Sequence, residues 1–112
     1  MANERITEDM VDVWLRKHGF YDNPDKVFVE KQQSTVEAIR FALSKAGKGG
    51  RGGRGYPEFI ITTHETPDMV VVIECKADVK FHESPNRDKP VEYAVDGVLH
   101  YALTLTTQYT VI

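Results

Sequence analysis

The sequence lacks the features that mark secreted, membrane-spanning or zinc-binding proteins. It has a single cysteine in 112 residues, so no disulfide can form within the chain, and a reduced thiol is typical of an intracellular compartment. No apolar run approaches the roughly 20 residues that cross a bilayer, and no charged and apolar leader opens the chain. No Cys-x-x-Cys or His-x-x-x-His spacing indicates a zinc site. We therefore expect a cytoplasmic protein without a membrane partner.

A Gly-rich segment lacks the sequence of a nucleotide-binding loop. Six glycines lie between Gly47 and Gly55, but no Lys-Ser or Lys-Thr follows them, which excludes an NTPase loop. The stretch from Lys45 to Arg54 instead combines glycine with four cations and no acid. These candidate DNA-binding cations are Lys45, Lys48, Arg51 and Arg54. Two interpretations stay open, a solvated connector or a mobile basic flap that closes on a nucleic-acid backbone.

The overall charge does not favour nucleic-acid binding by the whole surface. The formal net charge is -3, whereas affinity for a phosphate backbone comes mainly from clustered Lys and Arg. The composition, 41% hydrophobic and 28% charged, is that of an ordinary globular protein. A chain of this length can bury a core without disulfides. We expect one domain over residues 1–112, with any nucleic-acid contact limited to a local patch.

Hydrophobic periodicity predicts three helices. The first covers residues 8–18 and places Trp14 in the core. A capping box over residues 34–37 starts the second helix, which ends at Gly47. The third covers about residues 91–103.

Two β-rich runs, residues 57–61 and 69–73, are joined by a polar turn and predict a hairpin at the centre of the fold. Shorter strands are predicted at residues 27–29 and 107–112. Because the chain ends inside an apolar strand, we expect it to be the N-terminal part of a longer protein. The predicted class is α/β, with a small mixed sheet flanked by helices.

Charged residues stand at one end of the predicted hairpin. Fifteen residues separate Glu58 from Glu74, so the two acids can meet only if the pairing register permits. Strand alternation places Glu74 and Lys76 on one face and Cys75 in the core. A surface ion pair between Glu74 and Lys76 would need no function. Charges that end a fully buried strand, however, are costly without a partner or a metal, so the pattern favours a divalent cation and a hydrolytic water.

The pair Pro57-Glu58, followed after fifteen residues by Glu74-Cys75-Lys76, resembles the motif of the PD-(D/E)xK nuclease superfamily. With the terminal strand and His100-Tyr101, the sequence is similar to the N-terminal nuclease domain of type I and related restriction-modification enzymes. The resemblance implies a restriction-endonuclease-like fold and Mg2+-dependent hydrolysis of DNA, with Mn2+ as a substitute. It also implies a helicase or methyltransferase module of the same restriction system as a partner.

The resemblance also implies individual roles. Glu58, Glu74 and the backbone carbonyl of Cys75 would hold Mg2+, and Lys76 would orient or help deprotonate the attacking water. Glu8 would match a further acid beside the metal, although a solvated acid in a first helical turn needs no function.

Two departures from the family pattern affect the third helix and the first acid. Glu58 stands where Asp is commoner, and Gly97 stands where related subunits carry the glutamine of a Gln-x-x-x-Tyr motif. His100 and Tyr101 would line the cleft, or Tyr101 would belong to the core. The alternative function is a non-catalytic nucleic-acid-binding or assembly domain that uses the basic segment. An RNA-binding Arg-Gly-Gly segment is a third and weaker interpretation.

Overall fold

The computed structural model describes residues 4–47 and 55–112. Three of the four predicted DNA-binding cations, Lys48, Arg51 and Arg54, lie outside the described residues. In chain order the elements are α1 (Glu4–Lys17), β1 (Val27–Glu30), α2 (Glu37–Leu43), β2 (Phe59–Thr63), β3 (Met69–Ile73), a 3-10 turn (Val79–Phe81), α3 (Ala94–Leu105) and β4 (Thr110–Val111). No helix in the two described ranges has both the length and the apolar character needed to cross a membrane.

A four-stranded mixed sheet with the order β1-β2-β3-β4 lies at the centre of the fold. The first three strands are antiparallel, and the predicted hairpin is confirmed, because β2 and β3 are joined directly by residues 64–68. β4 pairs parallel to β3, since α3 carries the chain back across the sheet before β4 begins. The small mixed α/β class predicted from the sequence is confirmed, although the terminal strand is only two residues long.

Both faces of the sheet are covered, which explains why β2 and β3 are apolar on consecutive residues. Helices α2 and α3 pack on one face and α1 packs on the other. The first cluster contains Ile39, Leu43, Ala46, Ile60, Val70, Val72, Tyr101 and Leu105. The second contains Leu15, Phe59, Ile61 and Cys75, with Val71 and Ile73 packed against it. Successive residues of each strand therefore enter opposite cores, and the polar ends of the strands are left at the edges of both.

The prediction that Trp14 lies in the core is wrong. Helix α1 buries the side on which Leu15 lies, with Val11 against the same cluster, and Trp14 falls on the outer side with 54% of its surface exposed. Its indole contacts the rings of His18 and Phe20, with centroids 4.2 and 5.8 Å away. The helix also begins earlier than predicted, at Glu4.

The predicted capping box is also wrong. Helix α2 begins at Glu37, and no side chain caps its first turn. The hydroxyls that would cap it bind Glu30 instead. That carboxylate is 8% exposed and accepts hydrogen bonds from Ser34 Oγ at 2.5 Å, from the Thr35 N–H at 2.6 Å and from Thr35 Oγ1 at 2.9 Å. The Glu30 carboxylate is buried at the end of β1. Leaving it without hydrogen bonds would cost more free energy than leaving the first turn of α2 uncapped.

The third helix begins three residues later than predicted, at Ala94. Val91, expected on its buried side, precedes it and is 58% exposed, and Leu99 is 42% exposed. Only one side of α3 faces the sheet, and Tyr101 and Leu105 fill that side.

Gly55 is expected to resist substitution by alanine. A Cβ at this position would lie 2.6 Å from the carbonyl oxygen of Ala46 and 2.6 Å from Cε1 of Tyr101. Because one obstacle is backbone and the other is a buried ring, Gly55→Ala should lower the free energy of unfolding by roughly 1–3 kcal/mol. Urea denaturation measures the change. Tyr56→Ala, at an exposed neighbour, is the control and should change it little.

Candidate active site

The strand register brings the two acids of the predicted motif together. The last paired residues of β2 and β3 are Phe59 and Ile73. Continuing this register by one residue places Glu58 opposite Glu74, a position in which Cβ atoms of neighbouring strands are typically about 5 Å apart. The residue spacing in the sequence does not determine this register. The observed pairing of β2 with β3 does.

Among the carboxyl groups at this end of the hairpin, that of Glu58 has the most strongly shifted pKa. Burial raises its pKa to about 8, and the hydrogen bond and charge of Glu74 act in the same direction, against smaller lowering effects of the backbone N–H groups of Glu58 and Cys75. Its Oε2 is buried and has no hydrogen-bond partner in the described part of the chain. Two facing carboxylates of this kind hold a proton between them, or bind a cation in its place.

Cys75 follows the pair and turns its thiol into the core, as predicted. The side chain is 2% exposed, and burial raises the thiol pKa to about 12, with further contributions from the charges of Glu58 and Glu8. A thiol that stays protonated is not a metal ligand. The backbone carbonyl of Cys75 therefore remains the candidate ligand at this position.

Glu8 shares a cleft with Glu58. The cleft has a volume of about 280 Å³ and is lined by Arg5, Glu8, Asp9, Lys31, Gln32, Glu58 and Phe59. Helix α1 supplies one wall and the ends of β1 and β2 supply the other. Glu8 and Glu58 thus face the same cleft, from α1 and from the start of β2.

Lys76 follows Glu74 closely in the chain, but its ammonium contacts groups other than the two acids of the motif. Regular strand structure ends at Ile73, so the alternation predicted for Glu74 and Lys76 does not continue to the lysine. Nζ of Lys76 donates to the carbonyl of Val91 at 2.8 Å and lies 3.5 Å from Oε1 of Glu4. Its side chain is 13% exposed. These two contacts fix the position of the lysine at the end of α1.

The backbone at Lys76 is attached to α1 as well. Thr7 Oγ1 donates a hydrogen bond to the Lys76 carbonyl at 3.0 Å. Sequence reasoning missed both Thr7 and Glu4 as partners of the motif, because contacts across about seventy residues leave no signal in local spacing.

Asp96 secures the loop that supplies the Val91 carbonyl. Its buried carboxylate accepts hydrogen bonds from the Ser84 N–H at 3.1 Å, from the Ser84 hydroxyl, and from the Lys89 N–H at 2.8 Å. Burial alone would raise its pKa, but these hydrogen bonds lower the pKa below the usual value. The carboxylate therefore fastens residues 84–89 to α3, and the chain continues from there to Val91.

We expect Asp96→Ala to lower the melting temperature at neutral pH, since it leaves buried donors without an acceptor. A carboxyl with a lowered pKa stabilises the fold above its unfolded pKa and loses this effect as the pH falls through the folded pKa. The difference between Asp96→Ala and the wild type should therefore shrink under acid conditions. Thermal denaturation at several pH values measures it, with Asp88→Ala, an exposed neighbour, as the control.

The two residues of the third helix occupy different environments. Tyr101 is 1% exposed within the α2–α3 core, which agrees with the core interpretation, and burial followed by the charge of Glu74 raises its pKa. His100 Nε2 lies 3.1 Å from the carbonyl of Gly47. Its ring lines a separate groove along α3, away from the cleft that holds Glu58.

Lys45 is the one predicted DNA-binding cation within the described residues. It is exposed, and its Nζ lies 4.2 Å from the centroid of the Phe41 ring. This places it at the end of α2, available to solvent.

The donor set suits a hard cation that keeps part of its water shell. No group of three or more His, Cys, Asp or Glu side chains placed to hold a metal is found within residues 4–47 and 55–112. The available donors are the paired carboxylates of Glu58 and Glu74 and the Cys75 carbonyl, all oxygen atoms, and Mg2+ commonly binds through one or two carboxylates with several waters. Comparisons of the chain with protein-family models, with curated proteins and with solved structures gave no match.

Proposed function

We propose that this chain is a metal-dependent DNA endonuclease domain that hydrolyses phosphodiester bonds with Mg2+. The observation that carries the proposal is the facing pair of Glu58 and Glu74 at the end of a buried hairpin. Burial and mutual repulsion make two such carboxylates unfavourable when both are ionised, as the raised pKa of Glu58 reflects. A divalent cation removes this penalty, and a purely structural role gives no reason to place the acids together.

Glu58, Glu74 and the Cys75 carbonyl would hold the metal, with Glu8 as a further acid on the other wall of the cleft. Bound Mg2+, or Mn2+ in its place, supplies a polarised water and neutralises charge on the phosphate. Cys75 and Phe59, the chain neighbours of the two acids, belong to the buried cluster under α1. An apolar core next to carboxylates strengthens the electrostatic field that they exert on a bound cation.

Lys76 would act on the attacking water and on the phosphate. Its ammonium is largely shielded from solvent and is oriented by the Val91 carbonyl and Glu4. A positive charge held in this way can stabilise negative charge that develops during hydrolysis without reorganising first. The contribution of Lys76 is thus electrostatic and positional.

The small mixed sheet flanked by helices supports a restriction-endonuclease-like interpretation of the fold. Within a restriction-modification enzyme, a helicase or methyltransferase module would deliver the DNA. The net charge of -3 supports such a division of labour, because an acidic domain whose cleft is lined by three acids and two cations binds DNA poorly alone.

Plasmid nicking tests the proposal. Supercoiled plasmid is incubated with the protein in Mg2+ or Mn2+ at millimolar concentration, and with EDTA in a parallel reaction. We expect nicked and linear products only when the metal is present. Products that form equally in EDTA would contradict a metal-dependent mechanism.

A second candidate function, a non-catalytic nucleic-acid-binding domain, is favoured by one specific observation. The Lys76 ammonium contacts Glu4 and the Val91 carbonyl, an arrangement that also serves a purely structural lysine. The exposed Lys45 beside Phe41 would then contribute to binding. Salt-sensitive DNA binding without any response to millimolar Mg2+ or Mn2+ would favour this second candidate.

A further inference from the structure

The wall of the cleft that carries Glu58 also carries residues that the metal does not require. Lys31 and Gln32 follow directly after β1 and line the cleft together with Glu58. Glu30, opposite Ile60, is the last residue of β1 that pairs with β2, and the chain bends directly after it. Lys31 and Gln32 therefore reach the cleft from a bend at the end of the strand.

Lys31 has contacts on two sides at the edge of the cleft. Its Nζ lies 3.4 Å from Oδ1 of Asp12 and 5.6 Å from the centroid of the Phe59 ring. Its side chain remains 55% exposed, so the ammonium can accept a further anionic partner.

Asp12 does not fully neutralise the positive charge of Lys31. The same carboxylate pairs with Arg16 at 3.0 Å and accepts a hydrogen bond from the Tyr21 hydroxyl at 2.6 Å. Together Asp12, Arg16 and Lys31 carry one excess positive charge. Lys31 lines the cleft and Arg16 does not, and the other charged residues of the lining are Arg5, Glu8, Asp9 and Glu58.

Gln32 has an unusual backbone for its residue type. Its φ is 65°, in the left-handed region that glycine or asparagine adopts more readily. This conformation turns the chain sharply after Lys31, at a position where Gln32 lines the cleft.

We propose that Lys31 and Gln32 bind a backbone phosphate of the nucleic acid adjacent to the phosphate that is cleaved. This inference rests on the proposed nuclease function and deepens it. The ammonium supplies charge to one nonbridging oxygen, and the Gln32 side-chain amide donates a hydrogen bond to the same phosphate. Glu58 would then help to hold the metal while Lys31 and Gln32 hold the strand, so that neighbouring residues of one cleft contribute to both tasks.

Binding without cleavage tests the site separately from catalysis. A fluorescein-labelled DNA duplex is titrated with the protein in Ca2+, which replaces Mg2+ and prevents turnover, across a series of salt concentrations. Lys31→Ala should weaken binding roughly fivefold to tenfold and reduce the slope of log affinity against log salt by about one. Lys26→Ala, at the opposite end of β1 and also exposed, is the matched control and should leave both values unchanged.

The Gln32→Gly variant distinguishes a role of Gln32 in DNA binding from a role in folding. Glycine adopts the observed φ without strain, so the melting temperature should not fall. Loss of the amide should nevertheless weaken duplex binding. If Gln32→Gly binds as tightly as the wild type, the residue serves only the turn and its part in the proposal is overturned.

The remaining outcomes separate the two proposals. Wild-type affinity and salt slope in Lys31→Ala overturn the phosphate site, even if the protein cleaves DNA in Mg2+. Binding that depends on Lys31 in a protein that never cleaves supports the phosphate site and contradicts the nuclease. Failure of the wild-type protein to bind the duplex at low salt overturns the phosphate site.

Discussion

Substituting Glu74→Gln or Lys76→Ala is expected to reduce DNA cleavage at saturating Mg2+ by at least about 100-fold, the size typical of removing one electrostatic contact to a transition state. Glu74→Gln removes one of two facing charges that would hold the cation. Lys76→Ala removes the shielded ammonium. Initial rates of plasmid nicking, with the protein in excess, measure both losses.

Matched variants distinguish lost chemistry from lost structure. Glu65→Gln lies in the exposed hairpin turn and Lys80→Ala lies in the exposed 3-10 turn, so both should cleave like the wild type. Glu4→Gln removes the ion pair of Lys76 but leaves its ammonium in place and its hydrogen bond to the Val91 carbonyl intact. We expect this variant to retain activity within a few-fold. Full cleavage by a folded Lys76→Ala variant would contradict a role of Lys76 in the mechanism.

The sequence predicted the hairpin and both of its acids because these depend on local patterns. Apolar runs bounded by a polar turn specify two antiparallel strands, and the acids lie at their ends whichever register forms. The register itself depends on which faces are buried, since a slip of one residue would move Ile60 and Val72 out of the core that they share with α2 and α3. Residue spacing alone therefore allowed a meeting of Glu58 and Glu74 but did not require it.

The incorrect predictions share a physical cause, which is competition from distant groups. The capping box failed because Glu30, at the end of β1, takes the hydroxyls of Ser34 and Thr35. Trp14 was predicted to lie in the core because helical spacing alone does not show how much of the apolar side of α1 the sheet can cover. Lys31 and Gln32 were missed for a related reason, since they reach Glu58 only when β1 pairs with β2.

The free energy of unfolding is expected to fall as the pH rises from about 5 to 8 in the absence of divalent cations. Glu58 has a folded pKa of about 8, above the value near 4.3 of an unfolded glutamate. Between these values the folded state binds more protons than the unfolded state, so raising the pH favours unfolding, by at most about 1.4 kcal/mol per pH unit for one proton. Urea denaturation in EDTA across this range measures the slope.

Mg2+ should weaken this dependence, because it binds the ionised pair. At ten times its dissociation constant a ligand adds about 1.4 kcal/mol to the free energy of unfolding, and the gain should be larger at pH 8 than at pH 6, where protons compete for the carboxylates. Glu58→Gln should flatten the pH slope and abolish the Mg2+ response, while Glu92→Gln, exposed and distant in the chain, should preserve both. An unchanged Mg2+ response in Glu58→Gln would exclude this carboxylate as a ligand. If the free energy of unfolding of the wild type did not change with pH, the two acids would not interact. That result would contradict both the proposed metal site and the proposed nuclease function.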